Sequence, residues 1–166
     1  MVTARSGAGF TLIELLLTFA IFAILLSLSI TSYKDFQNNQ VLKQARETLL
    51  TNLRFAQSQA FGGVRNCGGS SETLTGWFVS FTNASYTINA RCGSAVGNTP
   101  RVVPLSPGIS LTTNIGVNSI LFQPANKEVT LINGQAIAPL SADATVTLTK
   151  GSRSTAVTIR KTGDIL

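Results

Sequence analysis

The chain has 166 residues, of which 44% are hydrophobic and only 12% charged, and 13 Lys and Arg against 7 Asp and Glu give it a net charge of +6. It contains no His and only two Cys, which excludes His-based acid–base chemistry and the usual Cys/His zinc sites. A basic surface favours anionic partners such as nucleic acid or acidic lipid, although an evenly solvated surface has the same composition. The length suits one small domain beside any membrane segment.

The first predicted element is a long apolar helix near the N-terminus. Within residues 10–30 the polar positions are Thr11, Glu14, Thr18, Ser27 and Ser29. A helix of this length spans roughly 30 Å at about 1.5 Å per residue, which is enough to cross a bilayer. Arg5 and no acid precede it, and this charge pattern predicts a cytoplasmic N-terminus with the rest of the chain outside. We therefore expect a transmembrane helix over residues 10–33.

Glu14 separates three interpretations of this segment. A cleaved secretory signal would use Ser27-Leu28-Ser29 as its small-residue site, and a plain membrane anchor would keep the helix. Neither gains anything from a carboxylate that costs about 2.5 to 3.5 kcal/mol if it lies deep in the membrane. The third interpretation gives the charge a function.

The residues Gly9-Phe10-Thr11-Leu12-Ile13-Glu14, GFTLIE, stand directly before the apolar helix. This motif resembles the type III signal of type IV pilins and type II secretion pseudopilins. The resemblance implies a leader of residues 1–9 and cleavage by a prepilin peptidase between Gly9 and Phe10. It also implies methylation of the new amine on Phe10. Glu14 would then pair with the N-terminal amine of a neighbouring subunit during assembly.

The helix is predicted to continue beyond the membrane as an amphipathic segment over residues 34–62. Apolar residues recur at helical spacing at Leu42, Ala45, Leu49, Leu53, Ala56 and Ala60. This stripe should pack on a globular domain, and Gly62-Gly63 should end the helix. We thus expect one helix over residues 10–61.

Residues 63–166 are predicted to form a β-rich domain. Short β-prone runs separated by turn residues cover 76–81, 85–90, 101–105, 109–113, 119–122, 128–132, 144–149 and 155–160. The last two form a candidate hairpin around residues 150–153. Ala144, Val146, Leu148, Val157 and Ile159 should face inward, and Thr145, Thr147 and Thr158 outward. The expected fold class is α+β, with the long helix packed on a mostly antiparallel sheet or sandwich.

Within the pilin superfamily, the later part of the chain is similar to the GspH/FimT group of minor subunits. The similarity lies in the helix end RFAQSQA (54–60), the strand-rich body and the closing segment TAVTIRKTGDI (155–165). A major pilin is the alternative within the superfamily. The resemblance implies other pilin or pseudopilin subunits, prepilin peptidase and the cytoplasmic membrane as partners. The expected location of the C-terminal domain is outside the cytoplasm.

Cys67 and Cys92 are the candidate disulfide. With no further soft ligand beside them, they are expected to pair if the domain lies in an oxidising compartment. A bridge closing this loop would stabilise the fold by roughly 3 to 4 kcal/mol. Two buried free thiols are the alternative.

The residues predict no catalytic site, cofactor or metal. No Ser or Cys nucleophile motif is present, and Gly62-Gly63 and Gly68-Gly69 lack the Lys of a phosphate-binding loop. The expected function is a structural one. The chain would be a minor pilin or pseudopilin that assembles, primes or caps a type IV pilus or a type II secretion pseudopilus.

The alternative function is DNA binding for uptake in natural transformation. Some FimT-like minor pilins capture DNA through a basic C-terminal motif of the Gly-Arg-x-Arg kind. The corresponding region, KGSRSTAVTIRKTGD, departs from that motif but contains four candidate DNA-binding residues, Lys150, Arg153, Arg160 and Lys161. Four cations would hold a few phosphates weakly and in a salt-sensitive way. Basic residues on a solvated strand edge, which discourage edge-to-edge pairing, are the competing interpretation.

Overall fold

The structure is a computed structural model that describes residues 9–67, 72–116, 118–124, 128–134 and 136–166. The side chains of residues 27–32 are outside this description, as is the predicted leader except for Gly9. Contacts divide the chain into two compact units, Met1–Asn38 and Asn39–Leu166.

A long helix, α1, runs from Leu12 to Phe61 over 50 residues, close to the predicted range. Its C-terminus has the hydrogen bonds of a Schellman motif, in which Gly63 N–H bonds Ala60 O at 3.1 Å and Val64 N–H bonds Gln59 O at 3.0 Å. Gly63 has φ of +62°, a left-handed conformation that glycine adopts without a Cβ clash. The predicted end of the helix is therefore confirmed.

In the second unit, α1 buries the predicted apolar stripe. Leu49, Leu53, Ala56 and Ala60 are fully buried, Leu42 is 3% exposed, and Ala45 is half-buried. Leu50 and Asn52 are also buried on this segment, although the predicted stripe did not include them.

In the first unit, the apolar side chains that can be described on α1 are exposed. The exposed fractions of the large side chains among them run from 50% at Leu15 to 78% at Leu12. Among the described residues, no helix has both the length and the apolar character needed to cross a membrane. The predicted span 10–33 includes residues 27–32, whose side chains lie outside the description, and it remains a prediction.

The β-rich part of the second unit contains the following strands. They are β1 (Leu74–Phe81), β2 (Ser85–Cys92), β3 (Ala95–Val96), β4 (Arg101–Pro104), β5 (Ser110–Thr113), β6 (Ser119–Phe122), β7 (Val129–Asn133), β8 (Ala136–Pro139), β9 (Ala144–Lys150) and β10 (Arg153–Ile159). The larger sheet has the order β3-β2-β1-β6-β7-β8, with β4 also paired to β2, and the smaller has the order β10-β9-β5. Every pairing between these strands is antiparallel. The predicted α+β class is confirmed, and each of the eight predicted runs corresponds to a strand.

Strands β3 and β8 were not predicted. β3 has only two residues, too few to show an alternating pattern. β8 contains Pro139, which argues against an interior strand. Leu140 N–H bonds Val129 O at 3.4 Å and Pro139 pairs with Thr130, so the Pro139 nitrogen faces away from β7. The position where Pro139 lacks an N–H thus lies on the free edge of β8, and the hydrogen bonds between β7 and β8 are not interrupted.

The predicted hairpin between β9 and β10 is confirmed. Lys150 pairs with Arg153 across a turn at Gly151 and Ser152, and Gly151 has φ of +59°. The five residues predicted to face inward, Ala144, Val146, Leu148, Val157 and Ile159, are fully buried. The three Thr predicted to face outward are half-buried.

The larger sheet curls into a half-barrel. A hydrogen bond made by one buried side chain indicates the extent of this curvature. Arg91 on β2 is 6% exposed and donates a 2.8 Å hydrogen bond from its guanidinium to Gly134 O, in the turn between β7 and β8. β7 lies three positions from β2 in the sheet, or roughly 14 Å if the sheet were flat. The curvature closes this gap, and the main core fills the space between α1 and the two sheets.

Candidate processing and assembly site

Gly9 and Phe10 lie outside α1 and are open to an approaching enzyme. Phe10 is 80% exposed. Within the described residues, no heavy atom lies within 4 Å of the position that a Gly9 Cβ would occupy, and Gly9 is not among the glycines with positive φ. Neither packing nor backbone conformation within the described chain therefore requires glycine at position 9.

Thr11 and Glu14 form the start of α1. Thr11 is the residue before the helix, and its hydroxyl oxygen accepts a 3.4 Å hydrogen bond from Glu14 N–H. The Thr11 carbonyl accepts the first bond of the helical ladder from Leu15 N–H at 3.2 Å. The sequence T-L-I-E has the spacing of a capping box, in which Glu is the third residue of the helix. This role of Thr11 was not predicted above, although the T-x-x-E spacing indicates it.

The Glu14 carboxylate stands in the first turn of α1, where the helix dipole favours a negative charge. It is exposed, and the neighbouring Ile13 and Leu17 are 76% and 62% exposed. The charge is thus surrounded by uncovered apolar surface. A partner that covers this surface must also accommodate the carboxylate.

The structure joins Cys67 and Cys92 in a disulfide with a Cα–Cα distance of 6.1 Å. Cys92 is fully buried at the end of β2, whereas Cys67 is half-buried in the segment after α1. Trp77 Nε1–H also bonds Val64 O in this segment, at 2.9 Å. The bridge therefore ties the exit of α1 to the larger sheet.

The structure does not bring the four candidate DNA-binding residues together. Lys150 and Arg153 face each other across the β9–β10 turn, whereas Arg160 and Lys161 follow the other end of β10. The distance from Arg153 to Arg160 along an extended strand is about 23 Å. Each pair must be considered as a separate surface.

Acidic residues accompany the second basic pair. The Asp143 carboxylate accepts a hydrogen bond from Lys161 N–H at 3.2 Å, and Asp164 O accepts one from Arg160 N–H at 2.8 Å. Arg160 and Asp164 also line a pocket of about 370 Å³ beside α1. Because acids stand beside the basic residues, this end of β10 is poorly suited to binding the phosphates of nucleic acid. No group of three or more potential metal-ligating side chains occurs within the described ranges.

Comparison with known families matches residues 5–30 to the prokaryotic N-terminal methylation motif. Searches of curated proteins and of solved structures found no match. The matched residues include Gly9, Phe10 and Glu14. The match supports a type IV pilin-like protein that prepilin peptidase processes, that is anchored at the inner membrane and that interacts with other pilins.

Proposed function

We propose that the chain is a minor pilin or pseudopilin of the GspH/FimT type, a structural subunit that assembles, primes or caps a filament. The observation that carries this proposal is the methylation motif over residues 5–30, which runs directly into a capped helix of 50 residues. The filament is either a type IV pilus or a type II secretion pseudopilus. The globular part of this subunit is built by packing two sheets on the amphipathic half of α1.

Processing at Gly9 is supported by what surrounds that residue. Because a Cβ at position 9 would meet no atom within 4 Å, the described fold accepts other residues there. A peptidase that admits an extended backbone into a narrow active site supplies a reason for glycine. Cleavage after Gly9 creates a new amine at Phe10, which is the proposed methylation site.

The new terminus lies beside the helix cap. Cleavage leaves Phe10 and Thr11 ahead of α1, so the Thr11 hydroxyl can still accept the Glu14 N–H bond and the mature helix keeps its cap. The Glu14 carboxylate is then free to meet an ammonium on another subunit. In an apolar environment that pairing offsets the cost of removing the carboxylate from water. Subunits stacked out of register would leave Glu14 unpaired, and we propose that the residue selects the assembled register.

The proposed domain organisation follows from this mechanism. Residues 1–9 are the leader, 10–33 the membrane helix, 34–62 its amphipathic continuation and 63–166 the globular domain. The globular domain lies outside the cytoplasm, and a Cys67–Cys92 disulfide suits such an oxidising compartment.

The proposal is tested by replacing Glu14 with Ala in cells that assemble the filament. We expect normal cleavage after Gly9, detected by mass spectrometry of the membrane protein, and at least a tenfold loss of the subunit from purified filaments. Asp35→Ala is the matched control, because Asp35 is also an exposed acid on α1, and it should be incorporated normally. Wild-type incorporation of the Glu14→Ala protein would contradict the proposed role.

A further inference from the structure

Contacts along α1 fix its direction relative to β10 within the second unit. Arg46 Nε–H bonds Ala156 O at 3.1 Å, and further along the helix Arg54 bonds Ile165 O at 3.4 Å. Ile165 in turn pairs with Ile159, at the end of β10. The helix and the strand therefore advance in the same direction. The start of β10 lies about 10 Å from Ala156, toward the position where α1 enters the unit.

Two loops lie at this same end. Leu105 and Ser106 line a small pocket of about 120 Å³ together with Val41 and Gln44 of α1. The Lys150 Cε atom lies 3.9 Å from the position that a Gly108 Cβ would occupy. We call residues 39–46, 104–108 and 150–153 the α1-entry end of the unit.

The α1-entry end is basic. It carries Lys43, Arg46, Lys150 and Arg153, and the neighbouring acid, Glu47, bonds Arg46 at 2.9 Å. The remaining acids in the described part of the second unit are Glu72, Glu128, Asp143 and Asp164. They lie just before β1, β7 and β9 and after β10, which is the opposite end of the unit. The α1-entry end therefore carries an excess of positive charge, whereas the acids at the opposite end stand among cations such as Arg65, Arg160 and Lys161.

Chain connectivity brings this basic end close to the proposed membrane surface. The helical residues from Tyr33, where the proposed membrane span ends, to Asn39, where the second unit begins, cover about 9 Å. This distance holds whatever the angle between the two units. Lys and Arg side chains of the α1-entry end are then within reach of phospholipid headgroups, and such cations are attracted to an anionic surface.

We infer that the α1-entry end binds anionic phospholipid headgroups through Lys43, Lys150 and Arg153 before the subunit joins a filament. The inference rests on the proposed membrane anchor and adds a lipid partner to it. Binding of this end orients the globular domain on the membrane. It also gives Lys150 and Arg153 a phosphate ligand different from DNA.

The test uses the full chain with Ser152→Cys, a position in the exposed β9–β10 turn, labelled with a donor fluorophore. The protein is reconstituted into nanodiscs that contain a headgroup-labelled acceptor lipid, with either phosphatidylcholine alone or added phosphatidylglycerol. We expect stronger energy transfer with phosphatidylglycerol and loss of the difference at high salt. Lys150→Gln with Arg153→Gln should weaken the attraction about 25-fold, since each cation near an anionic surface contributes roughly a fivefold factor.

Arg160→Gln with Lys161→Gln is the matched control, because it removes the same charge from the opposite end of β10. The control should behave as the wild type. Equal energy transfer in both lipid mixtures, or equal effects of the two double variants, would overturn the inference. Duplex DNA that releases the labelled turn from phosphatidylglycerol at equal phosphate concentration would assign the cations to nucleic acid instead, which also overturns it.

Vesicle flotation separates this inference from the anchor on which it rests. The wild type should float with phosphatidylcholine vesicles if residues 10–33 insert. Flotation with phosphatidylglycerol vesicles alone would contradict the anchor but support the basic surface. Failure to float with either lipid would contradict both.

Discussion

The Asn52 side-chain amide donates a 2.7 Å hydrogen bond to the Tyr86 hydroxyl in the core between α1 and β2. Asn52 is 4% exposed and Tyr86 1%. This polar pair lies within an otherwise apolar stripe of the helix. Because buried donors and acceptors that lose their partner are costly, the bond fixes the position of α1 against the sheet.

We expect stability to fall at alkaline pH because of Tyr86. Burial raises the pKa of its hydroxyl above the ordinary value of 10.0, while the Asn52 bond and the Arg101 charge act in the lowering direction. The folded state therefore holds the proton more tightly than the unfolded state. Stability is full below pH 10.0 and is lost as the pH rises from there through the folded pKa. Urea unfolding below and above pH 10.0 measures this loss of stability. The alkaline loss should be smaller in the Tyr86→Phe variant.

The same pair predicts non-additive substitutions. Tyr86→Phe leaves the buried Asn52 amide without its acceptor and should cost about 1 to 3 kcal/mol in free energy of unfolding. Asn52→Leu should similarly leave the Tyr86 hydroxyl unsatisfied. The double variant removes both polar groups and should cost clearly less than the sum of the single changes. Additive losses in urea titrations would show that the bond does not couple the two residues.

Gly97→Ala should destabilise the second unit by about 1 to 3 kcal/mol through overpacking. A Cβ at position 97 would collide with Asn66 O and would stand 2.6 Å from Asn89 Oδ1. Asn89 also donates a 2.8 Å hydrogen bond to Gly97 O, so the crowded region has little freedom to move. Gly116→Ala is the matched control, since no atom of the described ranges lies within 4 Å of that Cβ position. Thermal unfolding should change for the first variant and remain unchanged for the second.

Gly9→Leu should block processing without affecting the folded unit. The open space around Gly9 means that a larger side chain meets no described atom within 4 Å of its Cβ, whereas a narrow peptidase site excludes it. Mass spectrometry of membranes should find the uncut precursor, and thermal unfolding should match the wild type. A mature N-terminus at Phe10 in this variant would refute cleavage that depends on Gly9.

The periodicity of apolar residues predicted most of the fold, because buried positions recur at a fixed spacing in helices and in strands. The stripe from Leu42 to Ala60 and the alternation from Ala144 to Leu148 each present one face to the core. Asn52 escaped this reasoning because it is polar. Its position three residues after Leu49 nevertheless places it on the buried face. Only the presence of Tyr86 opposite, across more than thirty residues of sequence, makes that burial favourable.

For the candidate sites too, local sequence predicted what lies within one motif but not what the fold separates. Gly9 and Glu14 belong to one local motif, so sequence alone brings them together, and the capping role of Thr11 follows from the same spacing. The four basic residues from Lys150 to Lys161 looked like one group because they are close in sequence. An extended strand separates residues by about 3.3 Å each, and β10 carries the two pairs to opposite ends of the unit.

The hydrogen bond from the Gln57 amide to Gly163 O, at 2.7 Å, spans 106 residues of sequence. During synthesis the ribosome must therefore add more than a hundred residues after α1 before the segment that packs beside it exists. Throughout this interval the apolar stripe of α1 lacks the part of its cover that β9 and β10 supply, and contacts of such long range form slowly. Exposed apolar surface invites aggregation in this period. A factor that covers the stripe of α1 until residue 163 has been made would therefore reduce aggregation.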